Sequence, residues 1–355
     1  MHIDGAAHPY SGLHTYQYWR KSVSSVEPHL VDPVTNPRFT IDRGTRVAAA
    51  GSCFAQHIAR SIGQAGYNVL VTEDGGDLAE SERAERGYGF FPARFGNIYT
   101  TIQLLQLFEE AFGERPPLTE AWERPDGRFV DPVRQQVDPA GFESPEAVQQ
   151  DRQRHLTCVR RMFEQADLFV FTLGLTEAWR MRSDGTVLSS APGVVAGAYD
   201  PASHEFVNFS VEQTFGALQS FLDKFHQVNP QAKVLLTVSP VPLIATYEDR
   251  SVLSSTTVSK AVLRVAADMA IKDYGWVDYF PAFEIITGSS SGGMYFEDDH
   301  RAVNALGVAH AVRCFMNNYT VEGGGLRPDR ILAGATLPTA SSVLCDEDIL
   351  ETARS

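Results

Sequence analysis

The chain has 355 residues, of which 43% are hydrophobic and 21% are charged, a composition of globular proteins with room for one large domain or two ordinary ones. Its formal net charge of −14 argues against nucleic acid as a partner, because phosphates are bound through an excess of positive charge. No apolar run reaches the roughly 20 residues of a membrane helix, and the N-terminus lacks the basic start and apolar run of a signal peptide.

The four cysteines are widely spaced and form no Cys-x-x-Cys pair; they are Cys53, Cys158, Cys314 and Cys345. This spacing argues against a zinc ribbon and against a disulfide scaffold. We therefore expect a cytoplasmic protein that holds no metal ion and uses no other cofactor.

For the first part of the chain, the sequence predicts an arm followed by the start of a parallel sheet. We expect residues 1–44 to form an irregular N-terminal arm with one outer helix at 11–26. A buried strand at 45–52 runs directly into a helix at 53–67, in which apolar residues recur every four positions. A short strand at 68–73 then completes a strand–helix–strand unit.

The rest of the chain continues this alternation of buried strands and helices. We predict, in chain order, a loop at 74–99, a helix at 100–113, a hairpin at 120–137, a helix at 144–167, a strand at 168–174, a second hairpin at 177–193, a helix at 210–228, a strand at 233–243, a helix at 254–275, a strand at 276–286 and a helix at 301–319. The pattern indicates an α/β fold of three layers around a mostly parallel, flavodoxin-like sheet, with hairpin insertions. Ligands of such sheets bind at the carboxyl ends of the strands.

The first strand end carries two adjacent nucleophilic side chains, Ser52 and Cys53, where the strand meets the following helix. The backbone N–H groups that open a helix have no intrahelical partners and can stabilise an oxyanion. The helix dipole also lowers the pKa of a thiol placed there, which favours Cys53. Alternatively, Cys53 is buried and acts as a small hydrophobic residue. His57, on the same helix face as Cys53, could lower the pKa of the thiol but is more simply explained as a packed residue.

The candidate general base is His300, which follows Glu297, Asp298 and Asp299 before the last predicted helix. A carboxylate close to a histidine can orient the ring and support its protonated form, as in a catalytic triad. The same acidic residues would equally serve as caps at a helix N-terminus. The residues alone therefore leave both interpretations open.

Two further places combine glycine with polar side chains. Gly174, Thr176 and Glu177 follow the central buried strand, and Gly96 and Asn97 lie in a loop. Gly174 allows close approach of a backbone, and the amide of Asn97 could donate a hydrogen bond to a substrate oxygen. Each of these residues is also common in turns.

Several motifs, in order along the chain, resemble one known family; they are "GSCFA" at 51–55, "FGNIYT", "DGRFVDP", "FTLGLTEAW", "VSPVPL", "SKAVLRVA" and "YFPAFEI". They resemble the GSCFA family, a bacterial group related to the SGNH (GDSL-like) hydrolases, from about residue 45 to 315. The resemblance implies a three-layer α/β/α fold and the ester hydrolysis or acyl transfer of SGNH enzymes.

The nucleophile of SGNH hydrolases lies in a Gly-Asp-Ser block after the first strand. Laid on this chain, that block puts Cys53 at the place of the nucleophile and Ser52 at the place of the Asp. The final Asp-x-x-His block makes His300 the base. It puts Glu297 at the Asp position, with Asp298 as the other candidate for the orienting acid.

The intermediate blocks of SGNH hydrolases supply a glycine and an asparagine to the oxyanion hole. The Gly-x-Asn-Asp block falls on Gly174 to Glu177, and Thr176 replaces its asparagine. Gly96 and Asn97 resemble the Gly-bearing block, so the resemblance implies that Asn97 supplies the missing amide.

The leading hypothesis is an acyl-chemistry enzyme of the GSCFA and SGNH type. Its catalytic domain spans 45–320, with insertions at about 118–140 and 178–208 and a C-terminal tail at 321–355. Cys53 attacks the ester or thioester of a small-molecule or glycan substrate, and His300 moves the proton. Two alternatives remain: a Ser52-dependent esterase of carbohydrate or lipid esters, and a binding protein with a degenerate site.

Overall fold

The computed structural model describes residues 8–76 and 78–322, and of Cys53 it describes the backbone and not the side chain. Most of the predicted C-terminal tail therefore lies outside the described residues. The strands are β1 (Val47–Gly51), β2 (Trp122–Glu123), β3 (Phe129–Val130), β4 (Leu168–Leu173), β5 (Glu177–Met181), β6 (His204–Asn208), β7 (Lys233–Val238) and β8 (Val277–Tyr279). The α-helices are α1 (Cys53–Gln64), α2 (Glu80–Glu85), α3 (Thr101–Phe112), α4 (Pro145–Gln165), α5 (Val211–Val228), α6 (Val252–Asp273), α7 (Ala282–Thr287) and α8 (Ala305–Tyr319).

The central sheet has four parallel strands in the order β1, β4, β7, β8. Every residue of β1 and β4 is buried, as continuous apolar runs predict for strands covered on both faces. Ala48 and Ala50 pack with α3 to α6 in one core cluster, whereas Val47 and Ala49 pack with α1, α7 and α8 in another. The helices therefore form two outer layers, and the predicted three-layer α/β fold is confirmed.

The N-termini of three long helices begin at the caps that the sequence provides. The side chains of Thr100, Ser144 and Ser210 each accept a hydrogen bond from the backbone N–H three residues later, in α3, α4 and α5. Such caps satisfy one of the donors that open a helix and typically contribute about 1 kcal/mol. These helices consequently match their predicted ranges closely.

The predicted strand at 68–73 is wrong, because this segment forms only a single bridge to β1. Val69 lies beside Val47 in parallel orientation, and Leu70 N–H donates to the Val47 carbonyl at 2.9 Å. The chain then turns away, because the backbone N–H of Thr72 donates to the Pro92 carbonyl. The segment after Asn68 therefore pairs with the outer edge of β1 over only a few residues.

The predicted strand at 276–286 is correct only for its first part. β8 ends at Tyr279, and α7 begins at Ala282 with Pro281 as its N-cap. Proline cannot donate to a strand ladder but is well tolerated where a helix begins. The apolar residues of "AFEII" therefore belong to a short helix and not to a longer strand.

The first predicted hairpin is confirmed, since β2 pairs with β3 in antiparallel orientation. The second is correct only near its turn: Arg180 and Val187 form an antiparallel bridge around the Asp-Gly turn, whereas β5 otherwise pairs with β6. α3 holds the segment that follows the turn, since Gln106 accepts from Val187 N–H and Gln103 donates to the Leu188 carbonyl. The hairpin is therefore limited to a single bridge.

Three smaller expectations also need correction. The predicted loop at 74–99 contains the short helix α2, and the arm forms separate turns at Thr15–Gln17 and Arg20–Ser24 instead of one helix. The last helix begins at Ala305, because Asn304 caps it by accepting from Gly307 N–H. His300 therefore lies in a loop well before the helix.

A cluster of buried charges joins the first hairpin insertion to α3 and α4. Its members are Glu73, Arg94, Glu110, Asp131, Arg134, Asp151, Arg152 and His155. Burial would raise the pKa of Asp131, but the guanidinium groups of Arg152 and Arg134 outweigh it and hold this pKa at about 2. Removing one partner of such a pair leaves an uncompensated charge in the interior, so the cluster holds the insertion in place.

The stability of the fold is expected to decrease below about pH 6.5. His57, His155 and His310 have pKa values lowered from 6.5 to about 4, mainly because burial disfavours the charged imidazolium. Between these two values the unfolded chain binds protons that the folded chain does not, so the free energy of unfolding falls as the pH is lowered. Urea unfolding at neutral pH and at about pH 5 measures this effect. Equal stability at both values would contradict the assignment of neutral, buried rings.

Candidate active site

Three of the sequence motifs meet at the carboxyl edge of the sheet. Ile98 N–H donates to the Gly51 carbonyl at 2.9 Å, and the N–H groups of Gly174 and Leu175 donate to the Tyr99 carbonyl at 3.0 Å. The loop that contains Gly96 and Asn97 therefore lies against the ends of β1 and β4. The structure thus brings this loop together with the Gly51 and Gly174 turns.

The two glycines at the strand ends are required by close packing. Gly51 has a φ of 132°, and a Cβ atom there would lie 2.3 Å from the carbonyl oxygen of Thr172. A Cβ atom on Gly174 would lie 3.0 to 3.2 Å from atoms of Tyr99. A side chain at either position would push the backbone segments apart. The close approach of these three segments therefore depends on glycine.

Ser52 is the N-cap residue of α1, but its side chain makes no capping hydrogen bond. The residue is 3% exposed, and its Oγ atom has no hydrogen-bond partner within the part of the chain that the structure describes. Its backbone N–H donates to the Thr172 carbonyl at 3.3 Å. Cys53 is the first residue of α1, so its backbone lies at the positive end of the helix dipole; its side chain lies outside the described atoms.

Asn97 is held against the first turn of α1. It is 3% exposed, and its Oδ1 atom accepts a hydrogen bond from Gln56 Nε2 at 3.4 Å. Gln56 lies three residues after Cys53, on the neighbouring face of the helix. Gly96 precedes Asn97 with a φ of 72°, a left-handed conformation that favours glycine. The Gly-Asn pair thus places a buried amide next to the helix N-terminus.

Thr176 and Glu177 are engaged elsewhere. The backbone N–H and the hydroxyl of Thr176 both bond to Ser259 Oγ at 3.1 Å, and its hydroxyl also donates to Asn208 Oδ1 at 2.8 Å. Glu177 accepts from Thr246 Oγ1 at 2.7 Å and from Tyr247 N–H at 3.3 Å, and burial raises its pKa. These contacts tie β4 and β5 to α6 and β6. They do not direct either side chain to Ser52.

His300 lies at the tip of a tight loop before α8. Phe296 and Val303 form an antiparallel bridge, and within it His300 N–H donates to the Glu297 carbonyl at 2.9 Å. The φ of His300 is 54°, and Glu297 to His300 are all exposed. Asp299 Oδ1 accepts from two backbone N–H groups, those of Arg301 and Ala302.

The acidic residues beside His300 do not orient its ring in the described structure. No hydrogen bond joins the imidazole to a side chain of Glu297, Asp298 or Asp299 among the described residues. Asp299 instead stabilises the loop itself. The expectation that these acidic residues cap the last helix is wrong, because Asn304 caps α8 and no acidic residue lies in its first turn. The identity of an orienting carboxylate therefore stays a prediction.

The direction of α8 places the His300 loop at the same edge of the sheet as Ser52. The last residues of α8 lie beside Ile41, a few residues before β1 begins, because Ile41 N–H donates to the Tyr319 carbonyl at 2.8 Å. The C-terminus of α8 is thus near the amino end of β1. Its N-terminus, and with it His300, is at the carboxyl edge.

Lys260, which our sequence reasoning missed, contacts the turn after β4. It lies on α6, it is 3% exposed, and its Nζ atom donates to the Gly174 carbonyl at 2.7 Å. Lysine is almost never fully buried unless it is paired or hydrogen-bonded. The signal was present in the sequence, because Lys260 falls on the buried stripe of α6 with Leu263 and Ala267.

A pocket of about 350 Å³ opens beside these strand ends. Tyr99, Leu175 and Leu243 form a small buried cluster in its lining. The pocket therefore begins at the residue that directly follows Gly174. No group of acidic, histidine or cysteine side chains among residues 8–76 and 78–322 could hold a metal ion, and within the same ranges no helix combines the length and hydropathy of a membrane span.

Comparison with known proteins gives one informative match. The model of the GSCFA family matches residues 46–315. A comparison with curated proteins gave no match. Among solved structures, an acetyl esterase mutant with acetate ion is similar at 11% identity and a TM-score of 0.31, covering 76% of this chain and 92% of that one. Similarity at this level carries no argument about function.

Proposed function

The chain belongs to the GSCFA family, and from the geometry of its strand ends we propose that it is an enzyme of acyl chemistry. The observation that carries the proposal is the convergence of Gly51, Asn97 and Gly174 at the N-terminus of α1. This arrangement combines a nucleophile position, the backbone N–H groups that open a helix and a buried amide. Its relation to the SGNH hydrolases rests on the motif order described above.

In the proposed reaction Cys53 attacks the carbonyl carbon of an ester or thioester. His300 accepts the thiol proton, and the carbonyl oxygen becomes an oxyanion. When this intermediate collapses, the bond to the leaving alcohol or thiol breaks and His300 returns the proton to it. Water or another nucleophile then takes the acyl group from the Cys53 thioester, which gives hydrolysis or transfer.

The oxyanion is stabilised by groups at the start of α1. The backbone N–H of Cys53 opens the helix, and the helix dipole favours negative charge there. The Asn97 amide, buried and positioned by Gln56, is the proposed second donor. Thr176 is not needed for this role, since its N–H and hydroxyl bond to Ser259 and Asn208.

We propose that Lys260 acts as a cation at this site. In the register of the sheet Gly51 pairs with Thr172, and Ser52 N–H donates to the Thr172 carbonyl, so Gly174, two residues later, lies beside the start of α1. The ammonium group that bonds to the Gly174 carbonyl is therefore close to the helix N-terminus. A nearby cation favours a thiolate and an oxyanion over their neutral forms.

Replacing Lys260 by methionine is expected to raise the pKa of the Cys53 thiol and to lower kcat/KM by roughly 10- to 100-fold, because one charge-stabilising group is lost. The pH dependence of alkylation by iodoacetamide measures the thiol pKa. Lys260→Arg retains the charge and should restore part of the effect. Lys272→Met, on the exposed part of the same helix, is the matched control. A folded Lys260→Met protein with an unchanged alkylation profile would rule out this role.

The Ser52-dependent alternative has less support from the geometry. A serine nucleophile needs a base within hydrogen-bond reach, and Ser52 Oγ is buried without a partner among the described residues. Iodoacetamide separates the two possibilities, since it inactivates an enzyme that depends on Cys53 and spares one that depends on Ser52. An intact fold that reacts with neither thiol nor serine probes would instead favour a binding protein.

A further inference from the structure

We propose that the pocket beside Gly174 binds the acyl chain of the substrate, and that this chain is apolar and longer than acetyl. The inference rests on the proposed acyl chemistry and adds the class of the acyl group. The pocket has a volume of about 350 Å³, at the lower end of the range for small-molecule sites. It starts next to the proposed oxyanion groups, because Tyr99 contacts Gly174 and follows Asn97 by two residues.

The lining of the pocket is apolar and aromatic. Its inner end is the buried cluster of Tyr99, Leu175 and Leu243. A second part is formed by Trp179, Phe206 and Tyr247, whose rings contact one another with centroids 4.9 to 5.9 Å apart. Mutual packing of aromatic rings makes a firm wall for an apolar ligand.

Three polar side chains of the lining are already used within the protein. Gln103 accepts from Tyr99 N–H and donates to the Leu188 carbonyl. Glu177 accepts from Thr246 and Tyr247, and Ser189 accepts from Gln135 N–H. A sugar ring in this pocket would lose hydrogen bonds to water and find few replacements, which costs free energy for each hydroxyl.

A hydrocarbon chain has no such cost. Ser190 Oγ is buried without a partner among the described residues, so a polar atom of the acyl group can bond beside it. Tyr247 is 63% exposed, so an aromatic ring also borders the opening of the pocket. These features together favour an acyl chain over a carbohydrate as the occupant.

The test is a series of thioesters and p-nitrophenyl esters with acetyl, butyryl, hexanoyl and octanoyl groups. Burial of each added methylene should raise kcat/KM by up to about fourfold until the pocket is full. Ala178→Leu fills the pocket from β5 and is expected to lower the octanoyl-to-acetyl ratio of kcat/KM at least about tenfold. Ala65→Leu is the matched control, because Ala65 is exposed at the far end of α1 and should leave the ratio unchanged.

Binding of octanoate to the full chain, measured by calorimetry, tests the pocket without turnover. The inference predicts binding that Ala178→Leu weakens and Ala65→Leu does not. Turnover with no dependence on chain length, together with no octanoate binding, would overturn the inference and leave the proposed chemistry standing. Octanoate binding that Ala178→Leu weakens, without turnover of any ester or thioester, would support the pocket and contradict the proposed chemistry.

Discussion

Cys53→Ala is expected to lower kcat by roughly 10³-fold or more while the protein stays folded, because removal of a nucleophile leaves only binding and oxyanion stabilisation. Turnover of a p-nitrophenyl ester measures the loss. Thermal unfolding checks that the variant is intact. The alanine side chain keeps the first residue of α1 compatible with a helix, so a large loss of activity would come from chemistry and not from the fold.

Ser52→Ala is the matched control at the neighbouring position. A serine at an N-cap normally contributes about 1 kcal/mol through its side chain, but Ser52 makes no capping hydrogen bond and its Oγ atom is buried without a partner among the described residues. Removing a buried hydroxyl of this kind is nearly neutral for stability or slightly favourable. Activity should change by less than about tenfold.

The reverse result would identify the serine as the nucleophile. An inactive Ser52→Ala protein beside an active Cys53→Ala protein would contradict our assignment and support the Ser52-dependent esterase. Loss of activity in both variants, with both proteins folded, would also contradict the neutral role assigned to Ser52. The pair of variants therefore decides between the two adjacent side chains.

His300→Asn is expected to lower kcat/KM by roughly 10²- to 10⁴-fold, the range that a positioned general base contributes. Asparagine suits the substitution because His300 has a φ of 54°, and asparagine is among the residues that adopt the left-handed region most readily. The loop at 297–302 should therefore keep its conformation. His14→Asn, at an exposed position of the N-terminal arm, is the matched control.

The same assay identifies the acid that supports His300. Glu297→Gln and Asp298→Asn remove one carboxylate each at exposed positions, so neither should destabilise the fold appreciably. The larger loss of kcat marks the orienting residue. Full activity in His300→Asn would remove the histidine from the proposed mechanism.

The central part of the fold could be predicted because its sequence signals are local. Continuous apolar runs predicted β1 and β4, and Thr100, Ser144 and Ser210 marked where helices begin. The meeting of the glycine motifs followed from a general property of parallel sheets, whose carboxyl ends lie at one edge. Local propensity and tertiary packing agree at these positions.

The errors occurred where distant contacts decide the structure. The segment after Val69 leaves the sheet because the Pro92 carbonyl accepts from Thr72 N–H, and Gln106 on α3 holds Val187 where the predicted second hairpin ends after one bridge. Neither contact is visible in a local pattern. Lys260 falls on the buried stripe of α6, but the partner that gives it a role, the Gly174 carbonyl, is distant in sequence.

The most direct test of acyl chemistry at Cys53 is mass spectrometry of the full chain after brief mixing with a p-nitrophenyl ester. The account predicts one added acyl group on the peptide that contains Cys53, and its release by neutral hydroxylamine, as expected for a thioester. Cys53→Ala should show no such adduct, and Ser52→Ala should retain it. An acyl group on Ser52, or steady ester consumption without any acylated protein, would contradict the account.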